Sequence, residues 1–185
     1  SFFLLTNDSV LENKSTIKDL LEIFESHKRL GILSPCSKRW GEKLLLQGEQ
    51  KTKYFWFIHN NSYLLRKDFL NTIINTEKPD HMNFLFDGTN FRGYCSESEL
   101  IAKAYVNDWA AGITSKVWSG ENESLLLKKS DLIKTESYED NLKLYLAEGK
   151  KWIKNKFGFN SHWSMQQYAK MFYDKFFDYN PNLKK

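Results

Sequence analysis

Three carboxylates stand in the stretch PDHMNFLFDGTNFRGYCSESEL, residues 79 to 100: Asp80, Glu97 and Glu99. Carboxylates gathered at one point repel each other, and a divalent cation among them offsets that cost. A hairpin through DGTN would do the gathering. With a four-residue loop Phe86 faces Phe91, and Asp80 then lies across from Glu97. Glu99 follows on the same face, because side chains alternate along a strand. Mg2+ is the ion such hard oxygen donors take, and a metal-activated water is the chemistry it supplies.

The same letters also spell the start of a helix. Ser96 with Glu99 three places on has the form of a capping box, and acidic residues in a first turn meet the positive end of the helix dipole. An amphipathic run of Leu100, Ile101, Ala104, Tyr105 and Trp109 follows at once. Glu99 cannot both continue a strand and close a first helical turn, so the two readings exclude one another. The helix needs fewer coincidences and is the expectation.

A Pro-Asp pair opening one strand, with acidic residues on the next, resembles the motif of the PD…(D/E)XK nucleases. That resemblance implies Asp80 and Glu97 as ligands of Mg2+ and a phosphodiester as substrate. It is confined to residues 79 to 99, and Glu99 stands where that family usually has lysine.

A second group of residues suits nucleic acid. KTKYFWFIHNNSYLLRK, residues 51 to 67, interleaves Lys51, Lys53, Tyr54, Trp56, Arg66 and Lys67, types that stack bases and neutralise phosphates. Near the C-terminus Lys150, Lys151 and Lys154 fall off the apolar stripe of a helix and make a basic ridge. The net charge of +4 is compatible with a polyanionic partner without requiring one. The expected function is therefore a non-catalytic binding module for RNA or DNA. A Mg-dependent nuclease is the second reading, and a structural or protein-interaction subunit the third.

Cys36 and Cys95 are too far apart to form a zinc-ligand pair and are expected as buried thiols, with their redox state left open. His27, His59, His81 and His162 show no paired-ligand spacing, and neither a Gly-rich phosphate loop nor a GxSxG elbow occurs.

These residues must be positioned by ordinary elements. Aromatic residues make up 16 % of the 185-residue chain, which fits a folded core more than a disordered tract, and one domain, 1–185, is expected. EKLLLQ, KYFWFIH and SYLLR are strand-length runs separated by turn signals and read as an antiparallel meander. STIKDLLEIFESHKRLG is a helix stopped by Gly31, KDFLNTIIN a short helix, and residues 113 to 137 have no clear period. Two amphipathic helices follow, one from Ser137 to Gly158 and one after FNS, residues 159 to 161, with Ser164 and Gln167 as a capping pair. The expected fold class is α+β: an antiparallel sheet of about five strands in the N-terminal half, helices packed on it, and a C-terminal αα-hairpin. No run approaches the ~20 apolar residues of a membrane span, and SFFLLTNDSV lacks a basic flank, so an intracellular, soluble protein is expected.

Overall fold

The structure, a computed structural model, describes residues 1–6, 9–37, 42, 46, 52–58, 62–74, 77–78, 80, 84–122 and 138–183. Along the chain run β1 (Phe2–Leu5), β2 (Ser9–Leu11), α1 (Thr16–Ser26), β3 (Leu30–Ser37), β4 (Thr52–Tyr54) and β5 (Ser62–Leu65). Then come α2 (Lys67–Ile73), α3 (Ser96–Val106), β6 (Ala110–Glu121), α4 (Tyr138–Phe157) and α5 (His162–Tyr179), closed by a 3-10 turn, Pro181–Leu183.

The six strands form one mixed sheet in the order β1-β5-β3-β6-β2, with β4 also paired to β6. β1 and β2 are the two ends of that order, yet only residues 6 to 8 join them. Laid flat, five strands would set the end strands about 19 Å apart, at ~4.8 Å per step. Four extended residues reach about 14 Å at most. The sheet must therefore curl until its edges approach, and it is nearly a barrel. A turn seals the tie: the Ser9 amide donates to the Thr6 carbonyl at 3.1 Å.

The expectation of an antiparallel sheet confined to the N-terminal half needs correcting. β6 lies beyond residue 109 and runs parallel to β3, from Leu30↔Ala110 to Ser37↔Ser119. Gly112 sits within it, opposite Leu33 and Tyr54. The reason is burial: every residue from Ala110 to Ser115 is covered, so β6 lacks the alternation that marks a half-buried strand. β3 is likewise buried along its whole length, and its Pro35, which has no N–H to give, coincides with a shift of register. Among the described residues the expected meander does not form. β4 pairs with β6 while β5 pairs with β1 and β3, and of EKLLLQ only Glu42 and Leu46 are described.

Helix α1 buries Leu20, Ile23 and Phe24, α2 buries Phe69 and Leu70, and α3 buries Leu100, Ile101 and Ala104. With Ile32, Leu33, Leu65 and Ile113 of the sheet they form the main core; each Leu, Ile or Phe among them contributes about 1.5–3 kcal/mol of apolar burial. Arg66 closes the end of α1: its guanidinium donates to the carbonyls of Phe24 (2.6 Å), Leu30 (2.7 Å) and His27 (3.2 Å). Ser161, not Ser164, caps α5, accepting from the Ser164 amide at 3.2 Å. No helix among the described residues is long and apolar enough to cross a membrane.

Candidate active site

The segment from Asp87 to Cys95 contains no strand, so the hairpin expected through DGTN is replaced by a chain of turns; His81, Met82 and Asn83 lie outside the described residues. Asp87 starts it by accepting from the amide (2.9 Å) and the hydroxyl (2.6 Å) of Thr89. Amide-to-carbonyl bonds Asn90→Asp87, Gly93→Asn90 and Ser96→Gly93 follow at 3.0–3.1 Å, and the Asn90 side-chain amide donates to the Tyr94 carbonyl at 2.9 Å. Short polar side chains that bond their own backbone favour this course over a ladder.

The turns deliver Cys95 to the N-cap of α3 in the left-handed region, φ 62° and ψ 10°. For a residue with a β-carbon that conformation costs roughly 1–2 kcal/mol. Gly93, two places earlier, also has positive φ, at no such cost. The expected helix start at Ser96 is present, but the capping box is not. The Ser96 hydroxyl donates backward to the Gly93 carbonyl at 2.7 Å, and the amides of Ser98 and Glu99 bond the Cys95 carbonyl.

Glu97 and Glu99 are two places apart on a helix and so point in different directions. Glu99 meets Lys156 (2.7 Å) and Lys103 (3.6 Å), while Glu97 meets His162 Nε2 at 3.5 Å. Asp80 is exposed. The three-carboxylate group expected from a hairpin therefore does not assemble. Among the described residues one set of three ligand-type side chains converges instead: Cys95 Sγ, a Glu97 carboxylate oxygen and a His162 ring nitrogen lie within 4.8 Å of one another.

This cluster is covered. Cys95 is 0 % and Glu97 7 % exposed, and Tyr94, Trp152, Ile153 and Met165 pack about the thiol. Burial, and then the Glu97 charge, push the Cys95 thiol well above its ordinary range, so at rest it carries its proton. The His162 ring is held by Tyr94 (centroids 5.2 Å), by Phe57 (6.4 Å) and by Gln166 Nε2, 3.3 Å from its Nε2. Helix α4 lies tight on the preceding residue: a β-carbon at Gly149 would stand 2.1 Å from Tyr94 Cβ. Beside the cluster, a cavity of about 560 Å³ opens between Asp87–Phe91 and α4; Trp152 lines it and also packs about Cys95.

The other candidate residues are dispersed. Lys51 lies outside the described residues. Lys53 and Lys67 are exposed. Tyr54 packs on Phe177 (5.7 Å), and its hydroxyl meets His27 Nδ1 at 2.8 Å. Trp56 stacks on Phe55 (4.1 Å), meets Tyr173 edge-on (5.1 Å) and carries the Lys170 ammonium over its face. Helix α5 thus covers the sheet aromatics expected to stack bases, and Arg66 is spent on backbone carbonyls. Lys150, Lys151 and Lys154 are exposed along α4.

Sequence reasoning passed over Cys95 and His162 because neither has a partner at motif spacing. The available signal was local: a cysteine directly before an amphipathic helix, preceded by Gly93, is a thiol placed at a helix N-terminus. No family model matches this chain, and neither the curated proteins nor the solved structures contain a significant match to its sequence or its fold.

Proposed function

We propose that the protein is a cysteine-dependent acyl hydrolase or acyltransferase, with Cys95 as nucleophile, His162 as general base and Glu97 as the group that steadies the imidazolium. One observation carries the reading: a cysteine held in a strained left-handed conformation at a helix N-terminus, with an imidazole and a carboxylate within 4.8 Å. Backbone strain of this kind persists where the surroundings impose it, and it clusters at sites that do chemistry.

The steps follow from the proton inventory. A thiol pushed up by burial and by Glu97 does not ionise alone, so His162 takes its proton as Sγ bonds to the carbonyl carbon of an ester or amide. The positive end of the α3 dipole favours the oxyanion that forms. Collapse expels the alcohol or amine, which receives the proton from His162, and leaves an acyl thioester on Cys95. Water or a second acceptor then takes the acyl group and returns the proton to sulfur. Cys95 is fully covered, in one packed cluster with Tyr94, Trp152 and Ile153 of α4, and Met165 of α5, so an electrophile reaches it only after local opening.

An acyl-chloromethylketone or chloroacetamide probe tests this, with labelling read by peptide mass. Cys95 should react, and His162→Ala should slow it roughly 100-fold or more, the usual size of a general-base contribution. Equal labelling of Cys95 and Cys36, or an unchanged rate in His162→Ala, refutes the proposal. Cys36 is the internal control, a thiol pushed up to about 12 by burial and Glu42 with no imidazole assigned to it.

A second reading keeps the nucleic-acid expectation, favoured by Lys150, Lys151 and Lys154, exposed together on α4 with no ion pair assigned to them among the described residues. Filter binding over a salt series tests it. Retention should fall steeply with salt and the slope should shrink by about one per lysine neutralised; no salt-sensitive retention ends that reading.

A further inference from the structure

We propose that Cys95, Glu97 and His162 also form a binding site for one thiophilic divalent ion of the zinc class, which holds the nucleophile in an unreactive, metal-bound state. Tetrahedral zinc takes sulfur at about 2.3 Å and nitrogen or oxygen at about 2.0–2.2 Å, so neighbouring donors stand about 3.5 Å apart. The three donors already lie within 4.8 Å, and closing by little more than about 1 Å completes the geometry. Two of them, Cys95 and Glu97, ride on the same helix start, and the third comes from α5. Sulfur and imidazole select zinc over magnesium. This reverses the hard-ion expectation attached to Asp80, Glu97 and Glu99.

Charge fits as well. A thiolate and a carboxylate together cancel the two charges of the ion, which leaves a neutral group in a covered site, with His162 as the uncharged third ligand. The Tyr94 ring, 5.2 Å away between centroids, packs against His162 and limits its movement. Binding moves one proton: the Cys95 S–H bond breaks, the S–metal bond forms from the same electron pair, and the proton leaves to solvent. That pair is the one the thiol reading needs for attack, so, building on that reading, the metal-bound and reactive states exclude one another. Three protein ligands leave a fourth position for water.

The test uses the full chain, reduced, stripped with chelator and titrated with Co2+ as a coloured stand-in. One equivalent should bring up a sulfur-to-cobalt charge-transfer band that Zn2+ displaces. Cys95→Ser should lose the band, Cys36→Ser should keep it, and His162→Ala should weaken binding at least as much as the roughly 100-fold that loss of an outer-shell partner costs. A wild type without the band, a band that survives Cys95→Ser, or one lost with Cys36→Ser overturns the proposal. Circular dichroism checks each fold; if Cys95→Ser does not fold, Glu97→Gln replaces it, with weaker binding expected and unchanged binding counting against the site. Iodoacetamide separates the two readings. Zinc that blocks alkylation of Cys95 supports the metal site, and alkylation indifferent to one equivalent of zinc overturns it while the thiol chemistry stands. Cobalt binding by a protein inert to acyl probes leaves the metal site and removes the thiol chemistry.

Discussion

Lys156 neutralises two covered carboxylates at once. Its ammonium lies 2.5 Å from Asp87 Oδ2 and 2.7 Å from Glu99 Oε1, and both acidic side chains are almost fully buried. Lys156→Met keeps the length and the apolar stem but strands both charges. Removing one partner of a buried pair costs about 3–5 kcal/mol. The lower end applies, because Thr89 and Trp152 still donate to Asp87, and Lys103 still faces Glu99. A loss of about 3 kcal/mol at pH 7 is about a hundredfold in the folding equilibrium. Burial alone would push the Asp87 carboxyl up; hydrogen bonds from Lys156, Thr89 and Trp152 outweigh it and hold the group well below the usual carboxylate range. In the wild type this stabilisation is present above the unfolded carboxylate pKa, about 3.9, and lost as pH falls through the folded value. Without Lys156 the burial effect is opposed only by Thr89 and Trp152, so the folded Asp87 pKa rises from its wild-type position. The folded variant then takes up a proton at higher pH than the wild type does, and the gap between the two narrows as pH falls through the carboxylate range. Urea unfolding at pH 7 and pH 3 reads the gap, which should be about 3 kcal/mol at the first and smaller at the second. An equal gap at both would refute the claim that unpaired charge, not lost packing, sets the cost.

Gly149→Ala drives a β-carbon into Tyr94 and should destabilise by about 1–3 kcal/mol while raising the rate at which a thiol reagent reaches Cys95, both measurable on one sample. Arg66→Met should cost about 2–3 kcal/mol in thermal or urea unfolding, because three carbonyls lose a charged donor; nucleic-acid retention, if any is found, should not change. Burial lowers the His27 pKa, so the fold binds its proton less readily than the unfolded chain does, and stability should decline as pH falls below about 6.5. His27→Gln should flatten that decline in a pH series of unfolding curves, and an unchanged slope would assign it elsewhere.

The elements that carry strong periodicity were legible. Helices α1, α2, α3, α4 and α5 lie where apolar residues recur at helical spacing, and Ser62–Leu65 is the strand its apolar run foretold. β6 was not, since its first half, Ala110 to Ser115, is covered throughout and has no polar phase to betray it. The meander failed for a related reason: adjacency in sequence was taken for adjacency in the sheet, whereas β4 and β5 pair with strands from elsewhere in the chain. At the site, Glu97 was expected beside Asp80 and Glu99, and the structure sets it beside Cys95 and His162 instead. Cys95 stands two places earlier in the turn, and His162 is on a helix far along the chain, a separation that spacing rules do not reach.

Residues 6 to 8 tie the first and last strands of the curled sheet, and among the described residues no ladder pairs β1 with β2. A cylinder slit along one side and stapled at one end breathes at the slit. Amides of Phe2–Leu5 and Ser9–Leu11 should trade hydrogen for deuterium well before those of β3 and β6, and a single cut within the staple should let the wall unroll without first melting the centre.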